Sequence, residues 1–159
     1  MKNFILLLIV LVAGSCKTEE DLFCCAVDDV GYSFSLINEK GEDLLNKNTP
    51  GTLNSSNNIR LYRLDTENNE SSNYPRMGYS INDHDGLNKI SLSFGATNDD
   101  LIVRGIIEWS ENDRDTIVLE NIQAYKNVKV LVKITYNGKV VWDANKENNS
   151  GIRYFQIVK

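Results

Sequence analysis

Asn82-Asp83-His84-Asp85-Gly86 carries the single histidine of the chain between two acids. A nucleophilic triad needs a base beside an activated hydroxyl or thiol, so His84 is the imidazole any such arrangement would have to use. The stretch is nonetheless a turn by composition, because Asn and Asp bond their own backbone and Gly supplies positive φ. Asp83, Asp85 and Gly86 share residue types with a calcium loop, but the EF-hand spacing and its closing bidentate Glu are missing. The expectation is a solvated hairpin turn with no metal and no cofactor. The 22 acids could supply paired carboxylates for glycoside hydrolysis, which must flank a bond at about 5–9.5 Å, and sequence locates no such pair. No Gly-rich phosphate loop occurs, which argues against nucleotide chemistry.

Cysteine is confined to Cys16, Cys24 and Cys25. Neighbouring Cα atoms sit about 3.8 Å apart, below the usual disulfide span of roughly 4.4–6.8 Å, so a Cys24–Cys25 bridge would be strained. Zinc would want more Cys or His at suitable spacing than His84 provides. A strained pair, an intermolecular bridge and two free thiols stay open, and no catalytic role is assigned to either residue.

The position of these cysteines follows from what precedes them. Lys2, an apolar run from Phe4 to Val12, and Ala13-Gly14-Ser15 before Cys16 have the order of a secretory signal peptide. A spanning helix needs roughly 20 apolar residues, so the run is too short to cross a bilayer. Small residues directly before a cysteine resemble the lipobox of bacterial lipoproteins, although Ala13 stands where a leucine is usual. The resemblance implies that Cys16 is the first mature residue and carries the lipid, with a diacylglyceryl thioether and an N-acyl chain. Two acyl chains already anchor stably, so three would be effectively permanent. Lys17-Thr18-Glu19-Glu20-Asp21 follows, too poor in apolar residues to order itself. Lys17 with the acids Glu19, Glu20 and Asp21 resembles the signal that carries lipoproteins of Bacteroidota-type bacteria to the cell surface. The domain plan is therefore a signal peptide at 1–15, a lipidated tether at 16–30 and one domain at 31–159.

Composition narrows the partners. The whole chain carries a formal charge of −5, and loss of Lys2 with the leader makes the mature chain more acidic still. Affinity for nucleic acid comes from neutralising phosphates with Lys and Arg, so nucleic acid is excluded as a partner. Membrane contact is expected through the lipid anchor alone.

The elements that must position any site alternate. Tyr32, Phe34 and Leu36 interleave with Ser33 and Ser35; Ile90, Leu92 and Phe94 interleave with Ser91 and Ser93; Val128, Val130, Val132 and Ile134 interleave with Lys129 and Lys133. A period of two in β-branched and aromatic residues is a strand signal. Ile59 to Leu64, Met77 to Ile81, Leu101 to Trp109, Thr116 to Leu119, Lys139 to Asp143 and Ile152 to Val158 bring the total to about nine short strands. Leu44-Leu45 and Asn121 to Asn127 leave room for a helical turn, and the polar stretch Asp65 to Asn73 reads as a loop. The fold class is all-β, an antiparallel β-sandwich that is immunoglobulin-like or transthyretin-like in broad architecture. The immunoglobulin Cys–Trp–Cys pattern is absent.

Asn137-Gly138 is the strongest short turn signal and favours a two-residue type I′ loop. That register sets Tyr136 opposite Lys139 and Lys133 opposite Trp142, which turns Trp142 outward beside Lys133, Thr135 and Val140. An exposed indole flanked by polar groups could stack on a sugar or anchor a protein. A three-residue bulged loop in place of the two-residue turn slips the register by one and turns Trp142 inward. Trp109 shares a face with Leu101, Val103 and Ile107 and is expected inside.

Gly41-Glu42-Asp43-Leu44-Leu45-Asn46, Thr49-Pro50-Gly51, Ile59-Arg60-Leu61-Tyr62, Asn137-Gly138-Lys139 and Val141-Trp142-Asp143 together resemble small lipoproteins of Bacteroidota-type bacteria. The resemblance spans nearly the whole mature chain and implies a β-domain at the outer membrane, facing the surface or the periplasm, with no reaction attached. Asp115-Thr116-Ile117 resembles the O-glycosylation acceptor pattern of exported proteins in these bacteria, with Thr116 as acceptor, although such a triplet is more often just the start of a strand. The expectation is a lipid-anchored, non-catalytic binding or structural accessory module for a glycan or an envelope protein. The competing reading is a small envelope hydrolase using two acids.

Overall fold

The computed structural model describes residues 29–54, 59–74, 77–95, 101–125, 128–146 and 153–159. Alternation becomes strand in each of the nine places expected. The strands are β1 (Ser33–Ile37), β2 (Arg60–Leu64), β4 (Met77–His84), β5 (Leu87–Phe94), β6 (Ile102–Ser110), β7 (Asp113–Tyr125), β8 (Val128–Tyr136), β9 (Lys139–Asp143) and β10 (Tyr154–Val158). A tenth, β3 (Glu70–Ser71), lies inside the stretch expected as a loop. Asp65 closes that stretch into a tight turn by accepting the Glu67 and Asn69 amides at 2.8 Å each, which lets β3 fold back on β2. No helix occurs among the described residues, and β7 runs as strand through Asn121 to Tyr125, where a helical turn had room.

The strands form two sheets, one ordered β10-β1-β5-β4 and the other β3-β2-β6-β7-β8-β9. Their inward rows face each other as a β-sandwich. All strand pairs are antiparallel except β1 with β10, which run parallel from Ser33↔Tyr154 to Ile37↔Val158. Phe34 is fully buried, stacked on Phe155 at 5.0 Å between ring centroids and edge-on to Tyr136 of the opposite sheet at 5.8 Å. Each such side chain contributes about 1.5–3 kcal/mol by leaving water. Gly105 faces the Phe94 ring so closely that a Cβ there would lie 2.3 Å from Phe94 Cε1, which explains glycine in mid-strand.

The inward row of β8 differs from the valine row that alternation indicates. Glu120 faces Lys133 but Asn121 faces Leu131, so Val132 is an extra residue, and the bulge shifts the phase of the strand. Lys129 and Leu131 are buried before it, Ile134 and Tyr136 after it, and Val128, Val130 and Val132 are half-buried.

At the other end of β8 the chain changes sheets. Asp29 bridges Val130 in parallel and its backbone bonds Lys129 and Leu131, and the chain then crosses through Val30 and Gly31 into β1. Asp29 and Val30, which the sequence places in the tether, thus belong to the fold.

Candidate functional site

Trp142 is not the exposed platform the simplest hairpin register gives. Asn137 and Gly138 form the two-residue turn with φ of 46° and 77°, and Tyr136 does face Lys139. Two pairs further on, a second bulge sets Ile134 opposite Trp142 and Lys133 opposite Asp143. The slip sends the indole inward, where 4% of Trp142 is exposed, while Lys133 and Thr135 stay half-buried on the outer face. These three residues do not share a surface, and Lys133 instead pairs with Glu120 at 2.6 Å.

Asp115 and Thr116 separate likewise. Thr116 is exposed, its hydroxyl donating to Asn137 Oδ1 at 3.3 Å. Asp115 is buried and accepts from Trp109 Nε1 at 2.6 Å, Tyr136 Oη at 2.5 Å, Asn137 Nδ2 at 2.7 Å and Lys159 Nζ at 2.5 Å. Burial pushes its carboxyl up, but the Lys159 ammonium with the Tyr136 and Asn137 donors outweighs that and holds it below the usual carboxylate range. Burial, and then the Asp115 charge, raises the Tyr136 phenol. Asp113 also binds Lys159, at 2.6 Å, so both acids gathered at this point are ion-paired. The cluster holds the two sheets together and presents no open carboxyl.

His84 sits before the Asp85-Gly86 turn, whose φ values are 58° and 79°, and contacts Asp85 at 2.7 Å with both side chains well exposed. Among the described residues no group of three His, Cys, Asp or Glu could hold a metal ion. Cys16, Lys17, Glu19, Glu20, Asp21, Cys24 and Cys25 lie outside the described residues.

The arrangement best suited to a ligand is one the sequence reading passed over. On the outer face of the four-stranded sheet, register aligns Ser80, Ser91, Ser33 and Tyr154 in one row across β4, β5, β1 and β10, with Gly78 and Ser93 paired beside them. These short side chains leave an open trough of about 670 Å³, bordered by Tyr79, which is 40% exposed, and by Arg153. Lys89 covers the Tyr154 ring at 4.6 Å at the far end of the row.

The trough reaches a break in the sheet. The β1–β5 ladder contains Ser33↔Ser91 and Phe34↔Ile90 and goes no further toward Gly31, because the chain there leaves for the other sheet. Behind the break lies an inner cavity of about 220 Å³ between the sheets. The two cavities share Gly31, Tyr32, Leu92 and Ser93, so they meet at the break.

Three buried side-chain polar atoms among the described residues have no hydrogen-bond partner: the Tyr32 hydroxyl, Asn121 Oδ1 and Arg153 Nε. All three belong to residues lining these two cavities. Arg153 spends its other nitrogens on Asp29 in a two-pronged pair at 2.5 and 2.8 Å, which holds the Asp29 carboxyl below its usual range. Buried polar groups in native proteins are nearly always paired, with protein or ordered water, and an orphan costs roughly 1–3 kcal/mol.

The serines were visible as the polar half of the alternation. Their shared row depends on strand order, and Arg153, Tyr32 and Asn121 gave no local signal. No protein-family model, curated protein or solved structure matches this chain, so its site is read from its own geometry.

Proposed function

We propose that this chain is a lipid-anchored envelope protein of the outer membrane, displayed at the cell surface, whose β-sandwich binds a glycan along the trough without catalysing a reaction. The observation that carries the reading is the hydroxyl row Ser80–Ser91–Ser33 along the floor of the open trough. Sugars offer many hydroxyls of both hydrogen-bonding senses, and a row of short hydroxyl side chains complements them. The signal peptide, Cys16 in its lipobox setting and the acidic tether support the address. Thr116, exposed on the opposite sheet, is the proposed O-glycan acceptor.

Ion pairing of both Asp113 and Asp115 to Lys159 supports binding over hydrolysis, which needs an acid kept protonated.

Two measurements test the reading. Purified mature protein is titrated with envelope polysaccharide from the host, beside Ser91→Tyr, which fills the trough from its floor. Saturable binding lost in Ser91→Tyr, with unchanged thermal stability, supports it, and equal binding by both proteins contradicts it. Fatty-acid labelling and protease shaving of intact cells, with Cys16→Ala as control, test the anchor and surface display.

A further inference from the structure

The inner cavity has a chemistry distinct from that of the trough. Its walls are largely apolar, with Leu92, Phe94, Val103 and Leu119 each buried, and its lining includes no charged side chain among the described residues. A cavity of roughly 150 Å³ with such walls is large enough for a benzene ring, so about 220 Å³ accommodates a ring carrying a small substituent.

Two of its lining residues carry a side-chain polar atom without a partner among the described residues. Asn121 Oδ1 is an acceptor without a donor, and the Tyr32 hydroxyl is without a partner of either kind. Asn121 is 8% exposed and Tyr32 6%, so bulk water serves neither. A hydroxyl both donates and accepts, which makes it the simplest group able to serve either one. Water alone would meet the polar atoms and leave the apolar walls without a neighbour.

We infer that the inner cavity is a binding site for a compact neutral hydroxyl-bearing molecule or group of about phenol size, admitted at the break between Gly31–Tyr32 and Leu92–Ser93. The inference stands on this cavity alone and goes beyond the glycan reading. A cyclic or branched alcohol of similar volume belongs to the same class. Burial keeps the Tyr32 phenol protonated, which leaves it able to donate to such a ligand.

The test titrates the mature protein with 4-methylphenol and, separately, toluene, followed by saturation-transfer NMR and calorimetry. Wild type is expected to bind 4-methylphenol saturably and about tenfold more tightly than toluene, the difference set by the buried polar partners. Asn121→Leu and Tyr32→Phe each bring the two affinities together, and Val103→Phe, which fills the volume, removes both. Absence of saturable 4-methylphenol binding overturns the inference, as does equal affinity for toluene in wild type, or binding untouched by Val103→Phe. Should Val103→Phe fail to fold, Tyr32→Phe, which removes one oxygen, decides the polar contribution. Because the trough is tested with polysaccharide and Ser91→Tyr, either reading can fail while the other stands.

Discussion

The Lys159 ammonium lies 2.5 Å from Asp115 Oδ2, joining the end of β10 in one sheet to β7 in the other. The pair is mostly buried, with side-chain exposures of 22% and 8%. Lys159 keeps Asp113 as a partner when Asp115 is neutral, but an amide at position 115 cannot accept from all of Trp109, Tyr136 and Asn137, and a buried donor left unsatisfied costs about 1–3 kcal/mol. Asp115→Asn is therefore expected to lower unfolding stability by about that amount at neutral pH in urea titration.

The same carboxyl sets an acid limit. Its folded-state value lies below the ordinary 3.8, so its contribution is present above that value and is lost as pH falls through the folded one. Asp29, lowered by its bond to Arg153, acts in the same direction. Wild-type stability should fall below about pH 4, and the gap between wild type and Asp115→Asn should close over that range. Urea midpoints from pH 7 to pH 2 measure it.

Trp142 and Lys133 should part company on mutation. Trp142→Ala empties a core position and is expected to cost about 3–5 kcal/mol. Lys133→Ala breaks a half-exposed pair with Glu120 and should change stability by about 0.5 kcal/mol or less. Thermal melts of both variants test the inward register of β9.

Gly105 and Phe94 are coupled across the two sheets. Gly105→Ala puts a methyl into the Phe94 ring, and overpacking of this kind costs about 1–3 kcal/mol. Phe94→Leu in the same chain should recover part of that loss, giving a favourable interaction energy in a double-mutant cycle.

Asn137 does two separable jobs. Its positive φ closes the turn, while its amide bonds the Thr116 amide at 2.7 Å and Asp115 Oδ1 at 2.7 Å. Asn137→Gly keeps the turn and loses the bonds, at about 1 kcal/mol, whereas Asn137→Ala loses both and should fall further. Their difference in melting temperature isolates the backbone contribution.

The fold was legible wherever alternation ran unbroken. Phe34, Leu36, Ile90, Leu92, Trp109 and Phe155 all sit inside, as a period of two requires. The sequence misled at bulges, because one extra residue at Val132, and another at Val141, reverses every side chain beyond it without a mark in composition. The serine trough was half legible, since Ser33, Ser35, Ser91 and Ser93 stood out as the polar row. What aligned them with Ser80 and Arg153 was strand order, and the parallel return of β10 beside β1 is a long-range pairing that no local pattern encodes.

The central claim is that ligand lies on the four-stranded sheet, and amide chemical-shift mapping with host envelope polysaccharide tests it most directly. The account predicts saturable shifts clustered at Ser33, Ser80, Ser91, Ser93 and Arg153. Shifts gathered instead on the opposite sheet, around the Arg60–Glu108–Arg114 ion-pair row, or no saturable shifts at all, would contradict it.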